Sequence, residues 1–91
     1  MVLKIELVES ESDTVLRLIG RITSSDVQQL KARIAETQTR VTLDLEQVRL
    51  IDLDAVRFLA AADRRGIALR HVPRYVREWI LLEKPRIRGL E

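Results

Sequence analysis

Apolar and polar residues alternate in four segments of the chain, and this alternation predicts four β-strands. The first two strands cover residues 2–8 and 14–19. The polar turn between them predicts an antiparallel hairpin, with Gly20 ending the second strand. Residues 41–45 form the third strand, followed by a short connection to residue 51, and residues 67–72 form the fourth.

Apolar residues recur with a period near 3.6 in three other segments, which predicts three helices. The first covers about residues 26–37, with Ser25 as N-cap and Gln28 completing a capping box. The second begins after Asp52, an N-cap residue, and ends before Gly66, which suits the C′ position.

The third helix is bounded by two prolines, Pro73 at its first position and Pro85 at its end. We expect residues 86–91 to form a loose tail. The predicted core face of this helix carries Val72, Val76, Trp79 and Ile80, with Tyr75 and Leu82 at its margin.

The element order β-β-α-β-α-β-α predicts an α/β fold with two layers, in which a four-stranded mixed sheet has its helices on one face. We expect residues 1–91 to form one domain. The opposite sheet face should be wet, since its residues are polar: Lys4, Glu6, Arg17, Thr42, Asp44 and Arg70.

Composition narrows the function classes. The chain of 91 residues is 46% hydrophobic and 33% charged, has a net charge of +2, and contains no cysteine. The lack of cysteine excludes disulfides, thiol catalysis and thiolate metal sites. Three aromatic residues are too few for a platform that stacks single-stranded nucleic acid.

Charge is spread along the chain. Residues 1–48 carry 6 basic and 8 acidic side chains, and residues 49–91 carry 10 and 6. No uncharged run exceeds five residues, so we expect no membrane span and a cytoplasmic location.

The topology predicts a site where strands two, three and four end. If these strands are parallel, their outgoing loops and three helix N-termini meet at one edge of the sheet. Thr23, Ser24, Ser25, Asp52 and Asp54 should then be neighbours. Plain helix capping also explains the serines and aspartates, and both interpretations stay open.

Three segments together resemble the STAS domain, the small fold of bacterial anti-sigma factor antagonists that also occurs in sulfate transporters. Residues 18–22, Leu-Ile-Gly-Arg-Ile, resemble the Leu-x-Gly-x-Leu strand end of that family. Residues 41–45 resemble its Leu-Asp-Leu strand, and residues 48–56 are similar to its Val-x-x-Ile-Asp-Ser-Ser-Gly-Leu switch.

The departures from the family pattern lie at the switch. Asp54 replaces the phosphorylatable serine, Leu53 the serine before it and Ala55 the glycine, while Thr23 stands where an acidic residue is frequent. A carboxylate carries less charge than a phosphate and cannot be removed. We therefore expect a domain that no serine kinase switches at residue 54.

The resemblance implies a non-catalytic regulatory module that binds a protein. An anti-sigma factor with a kinase fold, another regulatory complex, a lipid-transport ABC complex and a second copy of the chain all remain open as partners. The predicted partner surface combines the edge residues with one face of the second helix: Thr23, Ser24, Ser25, Asp54, Phe58, Ala61 and Ala62. For Phe58 a place at the core margin is the competing interpretation.

Other functions have less support. Asp52 and Asp54 suggest a magnesium-dependent phosphoryl enzyme, but the chain has no glycine-rich phosphate loop and little room for a cleft. The arginines of the C-terminal half are interrupted by acidic residues, which favours a solvated surface over a nucleic-acid site. We therefore expect no catalytic residue, cofactor or metal, and a structural role for the lone His71.

Overall fold

The computed structural model describes residues 2–83 and has the predicted order of elements. Its strands are β1 (Leu3–Glu9), β2 (Asp13–Ile22), β3 (Arg40–Ile51) and β4 (Ala68–Arg70), and its helices are α1 (Ser24–Glu36), α2 (Leu53–Arg64) and α3 (Arg74–Glu83). The sheet order is β1-β2-β3-β4. The first pair is antiparallel and the other two are parallel, which confirms the predicted mixed sheet.

The core lies between the sheet and the helices. Leu16 and Leu18 of β2 and Leu43 of β3 are fully buried, and they pack in one cluster with Val56 and Leu59 of α2. This arrangement places α2 over the centre of the sheet, so the chain that enters α2 stands at the end of the central strands.

The sequence predicted that β2 ends at Gly20, but the strand continues to Ile22. Gly20 has φ of +102° and lies next to a shift in register against β3. A glycine at such an irregularity takes a conformation that other residues avoid, and the strand continues beyond it. Ile22 is consequently fully buried in the core.

Strand β3 is also longer than predicted. The expected connection after residue 45 is strand up to Ile51. A register shift against β2, between the pairs Arg17–Asp44 and Ile19–Gln47, interrupts the alternation and turns Val48 into the core. A bulge changes the side-chain period locally, so the prediction from alternation alone placed the end of the strand too early.

Helix α1 begins before its predicted start. Its N-cap is Thr23, not Ser25, and the carboxylate that reaches back belongs to Asp26, not to Gln28. The Asp26 carboxylate accepts the backbone N–H of Thr23 at 2.9 Å. An acidic residue at this position also satisfies the positive end of the helix dipole.

Helix α2 agrees with its predicted caps. Asp52 is the N-cap, and Gly66 follows the last turn with φ of +90°. Strand β4 is shorter than predicted, three residues within the expected 67–72.

Helix α3 packs with a narrower face than expected. Val76 and Ile80 are buried, whereas the predicted core residue Trp79 is 43% exposed and Tyr75 is 44% exposed. Helix α3 packs mainly against α2, which leaves one of its sides for solvent. Pro85 and the predicted tail 86–91 lie outside the described residues.

The sheet face without helices is not uniformly wet. Asp44 lies on it, as predicted, but is only 2% exposed. Arg70 pairs with Asp44 across the parallel β3–β4 register, and its side chain covers the carboxylate together with His71. Within residues 2–83, no helix has the length and apolar character needed to cross a membrane.

Candidate functional site

The carboxylate of Asp52 joins the N-termini of two helices. One oxygen accepts the backbone N–H of Ala55 in the first turn of α2 at 2.9 Å, and the other accepts that of Ser24 in α1 at 2.8 Å. The backbone N–H of Asp52 in turn donates to the Ile22 carbonyl at 3.2 Å. These bonds hold the ends of β2 and β3 together at the point where each strand is followed by a helix.

Asp54 lies on the exposed side of this junction. Its side chain is 63% exposed, and its nearest charged partner is Arg57, 3.9 Å away and three residues further along α2. An exposed pair at this distance contributes little to stability. The carboxylate of Asp54 therefore remains available to a binding partner.

A groove of about 490 Å³ runs between α1 and α2, beginning at Ser24 and Asp54. We call it the α1/α2 groove. It is lined by Ser24, Val27, Gln28, Lys31, Ile34, Asp54, Arg57, Phe58, Ala61, Ala62, Arg65 and Ile67. Its lining combines apolar side chains with charged ones, a mixture found both in protein-binding surfaces and in sites for small molecules.

The structure places most of the predicted partner-binding residues around this groove. Ser24, Asp54, Phe58, Ala61 and Ala62 line it. Phe58 is half-buried and packs against the core, which agrees with the core-margin interpretation, and its role as an anchor for a partner stays a prediction.

The remaining predicted residues lie beside the groove. Thr23 is half-buried, and its hydroxyl is 2.8 Å from that of Ser25 and donates to Asp26 at 3.0 Å. In the switch segment, Leu53 is 45% exposed while Ala55 is completely buried. A side chain at position 55 therefore faces the core and does not meet a partner.

The sequence interpretation missed the positive charges of the groove. Lys31 of α1 and Arg57 and Arg65 of α2 all border it. Helical spacing could have found the two arginines, because residues at positions 54, 57, 58, 61 and 65 fall on one side of a helix. The groove thus presents cations as well as the Asp54 carboxylate, and one of them, Arg57, also donates to Glu83 at 3.1 Å.

A second polar cluster surrounds Asp44 on the open sheet face. The carboxylate accepts the Glu46 backbone N–H at 3.1 Å and an Arg70 N–H at 3.1 Å, and His71 Nδ1 lies 3.3 Å from it. Burial raises the pKa of Asp44, but the bonds from Glu46, Arg70 and His71 outweigh it and hold this pKa below its ordinary value.

Among residues 2–83, Asp44, Glu46 and His71 lie close enough together to hold a metal ion, with one ligand atom each within 4.8 Å of the others. The Arg70 guanidinium already neutralises Asp44. A metal ion at this cluster would have to compete with that ion pair, and the structural role expected for His71 stays a prediction. His71 has φ of +56°, which turns the chain at the end of β4 and brings its ring over the carboxylate.

Residues 5–82 match a family model described as Mlab, STAS domain. No curated protein matches the sequence of the chain significantly.

Three solved structures share the fold. The anti-sigma factor antagonist SpoIIAA in its unphosphorylated form aligns with a TM-score of 0.63 at 19% identity, over 90% of this chain and 83% of that one. An antisigma-factor antagonist STAS domain from Rhodobacter sphaeroides aligns with a TM-score of 0.51 at 23% identity, over 76% and 82%. The protein Mglu aligns with a TM-score of 0.62 at 22% identity over 76% of this chain, which spans only 19% of the length of Mglu.

Proposed function

The chain belongs to the STAS domain family, and we propose that it is a non-catalytic regulatory module that binds a protein partner through the α1/α2 groove. The observation that carries this proposal is the position of Asp54. It stands where the resemblance places the family's switch serine, and it borders an open groove with Phe58 beside it.

The chemistry of the groove favours a protein partner. Phe58 offers an aromatic surface that is only partly covered, and the small side chain of Ala61 leaves room beside it, whereas Ala62, also predicted for this surface, is buried. An aromatic residue next to small residues can act as an anchor for binding, with the charged border excluding the wrong partners.

Asp54 fixes the charge of the switch position. A phosphoserine would carry roughly −1.5 to −2 charges and a carboxylate −1, so Asp54 imitates the modified state in part. We propose that this domain presents one constant surface to its partner and that its regulation does not depend on phosphorylation at residue 54.

A capture experiment tests the proposal. The purified wild type and the variants Asp54→Ser and Asp54→Arg are used to capture partners from a lysate of the source cell, followed by mass spectrometry. We expect wild type to retain one specific protein, Asp54→Arg to lose it and Asp54→Ser to retain less of it. Equal retention by all three would contradict binding at the groove.

A matched control separates the local effect from net charge. Glu36→Arg makes the same change in charge at an exposed position of α1 that does not line the groove. It should retain the partner as the wild type does. The nature of the captured protein, a kinase-fold regulator or an ABC-type ATPase, then decides between the partner classes that the resemblance leaves open.

Phosphorylation is tested separately, with the serine kinase that modifies related domains in the same cell, and ATP. Wild type should take up no phosphate, and Asp54→Ser should take it up at residue 54. Phosphate on Ser24 or Ser25 of the wild type would overturn the proposal of a constant surface.

A further inference from the structure

Strand β1 forms a long open edge of the sheet. It pairs with β2 on one side, and among residues 2–83 no strand pairs with its other side. The edge at β4 is only three residues long, whereas β1 has seven. An open edge of this length offers a row of backbone donors and acceptors to another strand.

Apolar side chains along this edge are exposed. Val2 is 81% exposed, Leu7 45% and Val8 50%. Leu3 and Ile5 are half-buried and pack against the core on the helix side. The edge therefore combines unpaired backbone groups with apolar surface that a further strand would cover.

From these observations we propose that β1 binds β1 of a second copy in antiparallel orientation, about a two-fold axis at Ile5. Two four-stranded sheets would then become one continuous sheet. This pairing uses none of the residues that line the α1/α2 groove, so it is independent of the function proposed above.

The charges of β1 are complementary to themselves in this register. Lys4 comes opposite Glu6 of the second copy, and by symmetry Glu6 comes opposite Lys4 of the second copy. Opposite charges at facing positions of an antiparallel pair are favourable, and like charges there are unfavourable.

The same charges act against the neighbouring registers. Shifting the pairing by two residues in one direction places Lys4 opposite its own copy, and shifting it in the other direction places Glu6 opposite its own copy. Of these three registers, only the one centred on Ile5 avoids both like-charge contacts and places Lys4 opposite Glu6. Charged residues commonly protect edge strands from unspecific pairing, and here they select one pairing.

The apolar residues and the backbone fit the same register. Leu3 faces Leu7 of the second copy and Val2 faces Val8, so exposed apolar surface is covered at both ends. Every facing pair consists of two odd or two even positions. Along a strand, the backbone N–H and C=O groups point alternately to one side and to the other. In this register, the groups of β1 that point away from β2 therefore always face the corresponding groups of the second copy.

Existing contacts hold the charged side chains in place. Glu6 lies 3.5 Å from Lys4 and 3.4 Å from Arg17, all on the open sheet face, and its side chain is 40% exposed. The Lys4 side chain is 69% exposed and pairs with Glu6 of its own strand, so in the dimer its ammonium would lie between that carboxylate and Glu6 of the second copy. The pairing thus requires little rearrangement.

Sedimentation equilibrium of the full chain and of two charge-reversal variants tests the proposal. A strand pairing of this size should give a wild-type dimer with a dissociation constant of roughly 10 μM to 1 mM, the range of small interfaces. Lys4→Glu and Glu6→Lys should each dimerise at least about tenfold more weakly, because each places like charges opposite one another twice.

Mixing the two variants is the decisive measurement. In a mixed pair, both carboxylates of one variant face both lysines of the other, so an equimolar mixture should form a heterodimer at least as strong as the wild-type dimer. Circular dichroism should show that both variants are folded. Glu11→Lys, the same charge change in the exposed turn beyond β1, should dimerise like the wild type.

Three results would overturn the proposal. One is a wild type that remains monomeric at about 1 mM, the weak end of the expected range. Another is a mixture of folded variants that associates no better than either alone. The third is a Glu11→Lys control that is weakened as much as the β1 variants, which would indicate a general effect of charge.

Discussion

Asp52 accepts the backbone N–H of Ser24 at 2.8 Å, although the two residues are 28 positions apart in the chain. The same carboxylate caps α2 through Ala55. One side chain therefore sets the distance between the N-termini of α1 and α2, and with it the width of the groove at the end where Asp54 lies.

Removing this carboxylate should destabilise the fold. Asp52→Ala leaves two helix N–H groups without their acceptor, and we expect a loss of about 2 kcal/mol in the free energy of unfolding. Asp52→Asn keeps one oxygen and should lose less. Urea denaturation monitored by circular dichroism measures both values.

Asp54→Ala is the matched control for that prediction. Asp54 is in the same helical turn but exposed, and it contributes through the helix dipole, which is worth about 0.3–1 kcal/mol. If Asp52→Ala cost no more than Asp54→Ala, the bridge between the helices would have no energetic role.

Asp44 should make stability depend on pH in the acid range. Burial raises its pKa, but the bonds from Glu46, Arg70 and His71 prevail, so its pKa is lower in the folded chain than in the unfolded chain. Its contribution is then complete above the unfolded pKa, about 3.9, and is lost as the pH falls through the folded pKa.

The comparison of wild type with Asp44→Asn isolates this contribution. We expect the variant to be less stable at pH 7 and the difference to shrink below about pH 4, where the wild-type carboxylate takes up a proton. Urea denaturation across this pH range measures the difference. A constant difference at every pH would show that the ionised form of Asp44 is not the stabilising one.

The centre of the sheet should be sensitive to loss of volume. Leu43 is completely buried, and Leu43→Ala should cost about 2–5 kcal/mol because it leaves a cavity. Leu50, on the same strand but 54% exposed, provides the control, and Leu50→Ala should stay within about 0.5 kcal/mol of wild type. Similar losses at both positions would contradict the described burial.

In α3, replacing Ile80 by alanine should lower the free energy of unfolding more than replacing its larger neighbour Trp79. Ile80 is 5% exposed, so Ile80→Ala should cost about 2–5 kcal/mol. Trp79 is 43% exposed, and Trp79→Ala should stay below the 3–5 kcal/mol that is usual for a buried tryptophan. A soluble quencher should also reach Trp79 readily in wild type, and a fully protected fluorescence would argue against its exposure.

The sequence predicts the order of elements because each element has a clear local pattern. It does not predict the length of β2 and β3, since Gly20 and the bulge after Asp44 interrupt the alternation while the strands continue. The burial of Asp44 is likewise invisible locally. It depends on Arg70 and His71, which β4 brings over the carboxylate from 26 and 27 positions away.

At the candidate site, the topology alone is enough to place Ser24 near Asp52, because parallel strands end at the same edge. The helix start at Thr23 and the cations of the groove are not predicted. Both could have been found locally, because Thr23 and Asp26 form a capping pair three residues apart and helical spacing places Arg57 and Arg65 on the side of Asp54. Only the position of Lys31 at the groove depends on how α1 packs beside α2.

The pairing of the two central strands, β2 and β3, also affects how fast the chain folds. β1 and β2 form a local hairpin, which can assemble within microseconds, but the parallel pair of β2 and β3 joins positions as distant as Ile22 and Ile51. The segment between β2 and β3 must first bring the two strands together, at a cost in conformational entropy, before their hydrogen bonds can form. We therefore expect the pairing of β2 with β3, whose connecting segment contains α1, to be the rate-limiting step of folding.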